Sequence, residues 1–175
     1  MKTNHKTKWR ATLLILAASA SANVFSAVNI ELEVQNQGGS TVLVVTKNSA
    51  RCEGGPIDCI EVKEGTQPHL YFTLKGGCDS TGYGLTAFRI AQADKQWPTP
   101  QSPLKLEIAE DFCADEESGY VDFMACQNEL RADKMKLKDF NRFAESVFYE
   151  VTAAHCTDPA KEIFLDPQIK NKGGN

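Results

Sequence analysis

The chain is 175 residues long, 42% hydrophobic and 24% charged, with a formal net charge of −4. Four of its 19 basic residues and none of its 23 acidic ones fall in the first 22 positions, so the remainder carries 15 bases against 23 acids, a net −8. Such a polypeptide is repelled by nucleic acid and anionic lipid and attracted to basic partners, which excludes nucleic-acid binding.

The chain opens with a basic stretch, Lys2, Lys6, Lys8 and Arg10, followed by a mostly apolar run from Ala11 to Ala18 and then small residues. That order is the pattern of a secretory signal peptide. The run is too short to span a bilayer, which takes about 20 residues. Ala20-Ser21-Ala22 fits the small-x-small cleavage rule and places the leader at 1–22, leaving a single domain at 23–175. A cut after Ala27 is the alternative, with Phe25 then poorly suited to its position. The first cysteine is Cys52, so none lies near the cleavage region to carry a lipid, and no later segment is long and apolar enough for a membrane helix. The expected location is periplasmic or secreted.

Val28, Ile30, Leu32 and Val34 alternate with polar residues, the period-two pattern of a half-buried strand. Turn chemistry at Asn36 to Ser40 and the β-branched run Thr41 to Thr46 complete a predicted hairpin. The next predicted strands carry Ile60 and Val62, then Leu70, Phe72 and Leu74, then Tyr83 to Ala91, then Leu104 to Ala109. The glycines between Lys75 and Gly84 read as a turn. Between Gln96 and Pro103 the prolines rule out a central strand, and Trp97 there is either a core cap or an exposed recognition residue. Strands resume at Val147 and at Glu162. Short alternating segments separated by turn signals predict an all-β, two-layer sandwich.

All six cysteines lie beyond the leader, and an even count in an exported chain predicts three disulfides. Six cysteines allow fifteen pairings in principle. Spacing favours Cys52–Cys59 and Cys113–Cys126 as local clasps, leaving Cys78–Cys156 as a long-range link. The rival reading, structural zinc, lacks a C-x-x-C pair.

One stretch follows neither period. Asp111 to Gln127 reads as a long excursion held by Cys113–Cys126, with room for a short helix, and Met135 and Leu137 begin the next strand. No basic residue occurs between Lys105 and Arg131, whereas Glu107, Glu110, Asp111, Asp115, Glu116, Glu117 and Asp122 all do. Three readings compete: a solvated loop, a Ca²⁺ site built from hard oxygen ligands, and a docking surface for a cationic protein. The order DEESGYVD lacks EF-hand spacing. Phe112, Tyr120 and Phe123 supply apolar anchors of the kind interfaces favour.

In the C-terminal part, MKLKDFN (Met135 to Asn141), SVFYEV (Ser146 to Val151) and IFLDPQIKN (Ile163 to Asn171) occur in that order. This arrangement resembles the DP-EP family, small bacterial β-sandwich proteins in which an aspartate-bearing turn precedes a Tyr-containing strand and the last strand ends D-P-x-I-x-N. No Glu-Pro dipeptide occurs in this chain. The resemblance implies an immunoglobulin-like sandwich and brings no activity, cofactor or catalytic residue. Ile163 and Leu165 then face the core, Pro167 belongs on an edge or at a bulge, and the polar tail from Lys170 frays.

Only His69 and His155 remain beyond the leader as candidate bases, and no nucleophile-elbow, zincin or phosphate-loop motif accompanies them. The sequence therefore predicts a non-catalytic binding domain without a cofactor or metal. Its partner is a protein, basic in character (a lysozyme is one example), engaged through Glu110, Asp111, Phe112, Asp115, Glu116, Glu117, Tyr120 and Asp122. The alternative is a structural or Ca²⁺-dependent carbohydrate-binding module.

Overall fold

Alternation in the sequence becomes two facing sheets. The computed structural model describes residues 27–92 and 103–173; the expected leader and the Trp97 stretch lie outside them. The strands are β1 (Ala27–Gln37), β2 (Ser40–Asn48), β3 (Ile60–Val62), β4 (His69–Leu74), β5 (Tyr83–Gln92), β6 (Glu129–Arg131), β7 (Lys134–Lys138), β8 (Ala144–His155), β9 (Asp158–Leu165) and β10 (Gln168–Lys172). Two short helices, α1 (Gly77–Thr81) and α2 (Leu106–Phe112), interrupt them. One sheet runs β2-β1-β4-β7-β6; the other runs β3-β10-β8-β5, with β9 also paired to β8. Two pairs, β1 with β4 and β3 with β10, are parallel and the rest antiparallel. The expected sandwich with a disulfide-clasped excursion is the observed architecture.

The inward residues of both sheets make one core. Phe72 of β4 meets Phe88 of β5 and Tyr149 of β8 at ring separations of 5.4 and 5.7 Å, and Phe88 stacks on Tyr149 at 5.3 Å. All three rings are fully buried, so they supply much of the apolar driving force. Tyr149 also carries a hydroxyl, which donates to the Asp58 carbonyl at 3.0 Å. That bond ties the centre of the core to the loop clasped by Cys52–Cys59. All three disulfides form as the spacing predicted, Cys52–Cys59, Cys78–Cys156 and Cys113–Cys126.

The hairpin between β1 and β2 turns on Gly38 and Gly39, both at positive φ (58° and 87°), as a tight two-residue turn matched to strand twist requires. The glycines after β4 do more than turn the chain: they bracket α1, with Gly76 and Gly82 both left-handed at its ends.

The strand expected over Leu104–Ala109 is instead the start of α2. Leu104, Leu106 and Ile108 alternate, but positions i and i+4 share a face in a helix as well as in a strand. Leu104, Ile108, Ala109 and Phe112 are buried while Leu106 is 54% exposed, which is helical spacing.

At the C-terminus, Ile163 is buried, Leu165 packs against the core, and Phe164 between them points outward. Pro167 lies opposite Tyr149, whose N–H donates to the Pro167 carbonyl at 3.0 Å; proline has no N–H to return it. This is still the sheet's edge, because β3 joins on the other side only from Ile169 onward. The expected fraying of the tail is corrected. Lys170 to Lys172 pair with both β8 and β3 or with β8 alone, and the Gly173 N–H donates to Asn141 Oδ1 at 3.0 Å.

Candidate functional site

The excursion between Pro103 and Asn128 is built as a cover for the outer edge of β5. The Ile90 N–H donates to the Gly119 carbonyl (2.9 Å), the Val121 N–H donates to the Phe88 carbonyl (3.0 Å), and the Arg89 Nε–H donates to the Ser118 carbonyl (2.6 Å). An open strand edge invites pairing with another chain, and this segment occupies it. The inner half of the excursion is core: Leu104, Ile108, Phe112 and Val121 are buried. The Cys113–Cys126 clasp closes the loop behind α2.

This arrangement divides the predicted binding residues. Phe112 is 1% exposed and Asp111 has no exposed surface, so neither presents a contact to a partner. Phe112 is the inward knob of α2. Asp111 accepts from Arg142, through Nε at 2.7 Å and the backbone N–H at 3.0 Å. Burial pushes the Asp111 carboxyl above its usual range even against that guanidinium.

The other six residues reach the surface. Glu110 lies 3.4 Å from Arg142 Nη1. Asp115 Oδ1 accepts from the Ser118 N–H (2.8 Å) and hydroxyl (2.7 Å), which holds its carboxyl below the usual range. Asp122 accepts from the Met124 N–H at 2.7 Å. Glu116 and Glu117 are exposed, and among the described residues no cation pairs with them. Tyr120 is 46% exposed, with the Arg89 guanidinium 5.2 Å from its ring centre.

Sequence reading missed two neighbours. Leu106 is 54% exposed and Met124 95% exposed, both within the acidic run of the sequence. Leu106 was hidden by the strand assignment, which made it a core residue. Met124 carried no signal beyond lying in an aperiodic stretch.

Two polar segments far apart in the sequence meet in the interior. Asp139 and Asn141, from the turn after β7, and Asn171, from β10, are all buried. Asn171 Nδ2 donates to Asp139 Oδ1 at 3.2 Å, and Asn141 Nδ2 donates to the carbonyls of Lys63 and Thr66, both at 2.9 Å. Asn141 stands at φ 46°, a left-handed conformation that asparagine tolerates. These residues therefore knit the end of the sandwich together.

The two histidines lie on different sheets. His69, on β4, has its ring 6.2 Å from that of Tyr71, and burial lowers its pKa with help from Lys138 and Lys136. His155, at the end of β8, meets the Tyr83 ring edge-on at 5.2 Å and lies 3.2 Å from Thr157 Oγ1. Its neighbour Cys156 is tied up in a disulfide. Among the described residues, no three His, Cys, Asp or Glu side chains converge as a metal site would require. No helix among them is long and apolar enough to cross a membrane.

Comparison with known proteins adds little to this geometry. No family model and no curated protein matches the chain. Among solved structures it is similar to rusticyanin from Thiobacillus ferrooxidans, with 14% identity over 82% of this chain and 77% of that one, at a TM-score of 0.32. A rusticyanin variant with a histidine-to-methionine change matches at 15% identity, over 82% of this chain and 78% of that one, with the same TM-score.

Proposed function

We propose that this protein is an exported, non-catalytic binding domain that docks a basic protein on the outer face of its acidic excursion. The observation that carries this reading is the exposure of Leu106, Tyr120 and Met124 in the same segment of chain as exposed Glu116, Glu117 and Asp122, on a backbone fixed by the β5 edge and a disulfide. Apolar anchors inside a charged rim are the usual anatomy of a recognition surface, and a pre-ordered backbone lowers the entropy lost on binding. Unpaired carboxylates speed encounter with a cation and select against acidic competitors. Export is supported by the three closed disulfides, which persist in oxidising compartments, together with the leader pattern. A periplasmic or secreted location follows from the same reading.

The test compares residues 23–175 with a variant carrying Glu116→Gln, Glu117→Gln, Asp122→Asn and Met124→Ser. Both serve as bait for envelope proteins, and captured basic proteins are then titrated at low and physiological salt. The expected result is salt-sensitive, saturable binding to wild type that the variant loses. Equal capture by both baits, or no saturable association at either salt, would remove this reading.

A further inference from the structure

Asp139 and Asn171 each bury one side-chain oxygen without a hydrogen-bond partner among the described residues. Asp139 is wholly buried, and its Oδ1 accepts from the Asn141 N–H at 2.8 Å and from Asn171 Nδ2 at 3.2 Å. Its Oδ2 has no donor. Asn171 is 4% exposed; its Nδ2 is spent on Asp139, and its Oδ1 has no partner either. An orphaned buried oxygen is costly, and two on contacting side chains call for a common explanation. A carboxyl and a carboxamide are flat forks of similar size. With one pair of prongs joined, Asp139 Oδ2 and Asn171 Oδ1 are the atoms that a second bond would join. Both are acceptors while Asp139 is ionised, and a single proton on Oδ2 turns one of them into a donor.

We propose that Asp139 keeps its proton in the native fold and that this proton closes a reciprocal acid–amide pair with Asn171, a pH-sensitive latch on the last strand. The surrounding charges favour it. From α2, Asp111 faces the site with its carboxylate already committed to Arg142; from β8, Glu145 faces it as the register partner of Asn171. The cation on β7, Lys138, sends its ammonium away to the Gln67 carbonyl at 2.7 Å. Lys138 is within electrostatic reach of Asp139, but among the described residues no cation forms an ion pair with it. Burial accordingly pushes its carboxyl up to about 8; the bonds from Asn141 and Asn171 oppose the rise, and the charges of Asp111 and Glu145 add to it. Because the unfolded chain loses this proton near pH 4, stability falls as pH rises from there toward 8 and is level above it.

The latch bears on more than one bond. Asn141 receives Gly173 and holds the loop after β3, while the Phe140 N–H donates to the Asp111 carbonyl at 3.0 Å. Opening the pair therefore loosens β10 first.

The decisive measurement is a carboxyl ¹³C titration of the aspartate-labelled domain, residues 23–175, with Asp139→Asn identifying the resonance. The Asp139 carboxyl is expected to remain protonated at about pH 6, well above the ordinary aspartate range. Asp139→Asn supplies a permanent donor in place of the proton. The exchange protection of the Ile169 to Gly173 amides, corrected for intrinsic rate, should fall about tenfold in wild type by about pH 9 and fall clearly less in the variant, where Glu145 still titrates. Ionised aspartates throughout at about pH 6 would overturn the proposal, as would a variant that follows the wild-type profile. If the variant does not fold, the wild-type titration decides alone. A calcium-induced rise in the wild-type melting temperature that is absent from the variant would assign a cation to these two oxygens and also overturn the proton.

Discussion

Arg142 and Asp111 are joined at 2.7 Å across 31 residues of chain, with the Asp111 side chain entirely out of solvent and the Arg142 side chain 37% exposed. The contact fastens α2 to the turn that precedes β8, and it draws into the interior a carboxylate from the most acidic part of the sequence. Half-removing such a pair leaves a buried charge alone, which costs more than the pair contributes. Arg142→Gln is expected to cost about 2–4 kcal/mol and Asp111→Asn about 1–2 kcal/mol. Urea denaturation midpoints of the two variants measure both; losses under about 0.5 kcal/mol in each would mean that the pair does not seat the helix.

The excursion should behave as two materials. Phe112→Ala empties a filled core position and is expected to cost about 3–5 kcal/mol. The double change Glu116→Gln/Glu117→Gln touches only solvent and should lie within about 0.5 kcal/mol of wild type. Similar losses for both would show that the acidic rim is structural and would weaken its use for docking.

The disulfides should differ in worth according to the chain they close. Cys78–Cys156 spans 78 residues and Cys52–Cys59 spans 7. In the loop-entropy account, removing the first costs about 4 kcal/mol and the second about 2 kcal/mol. Paired alanine variants in thermal unfolding test the order, and the reverse order would show that the short clasp acts through Tyr149 and Asp58 rather than through the unfolded chain.

Glu145, whose charge also acts on Asp139, offers a second pH test. Burial first, and then the nearby Asp111, push its carboxyl up to about 7. The folded state therefore favours the protonated form. The associated stability is whole below the unfolded pKa of 4.5 and is lost as pH rises toward 7. Glu145→Gln, neutral throughout, should flatten that part of the stability profile and melt higher than wild type at about pH 8. A variant that melts lower there would mean that the ionised group has a partner in solution.

Gly173 tests whether the tail is part of the fold. It stands at φ 68°, and an added Cβ would lie 2.6 Å from the Ala144 nitrogen. Gly173→Ala is expected to cost about 1–3 kcal/mol, against about 1 kcal/mol for Gly39→Ala, whose Cβ would meet open space. Equal melting temperatures for the two would return the tail to a passive role.

The sequence by itself determined the layers and the staples. Period-two alternation in β1, β4 and β8 commits those segments to strands with one buried face, and cysteine spacing selected the pairings, because both are local properties of the chain. It could not place Leu106 or fix the end of the Leu104 segment, since strand and helix spacing coincide over four residues. Only the tertiary structure decided which members of the acidic run are solvated. Asp111 and Glu110 are adjacent and chemically alike, yet one is sealed against Arg142 and the other stands at the surface. Nor does any local pattern announce that Asp139 and Asn171 touch. Burial of a polar group depends on a partner brought from far along the chain, and that partner is known only once the fold has closed.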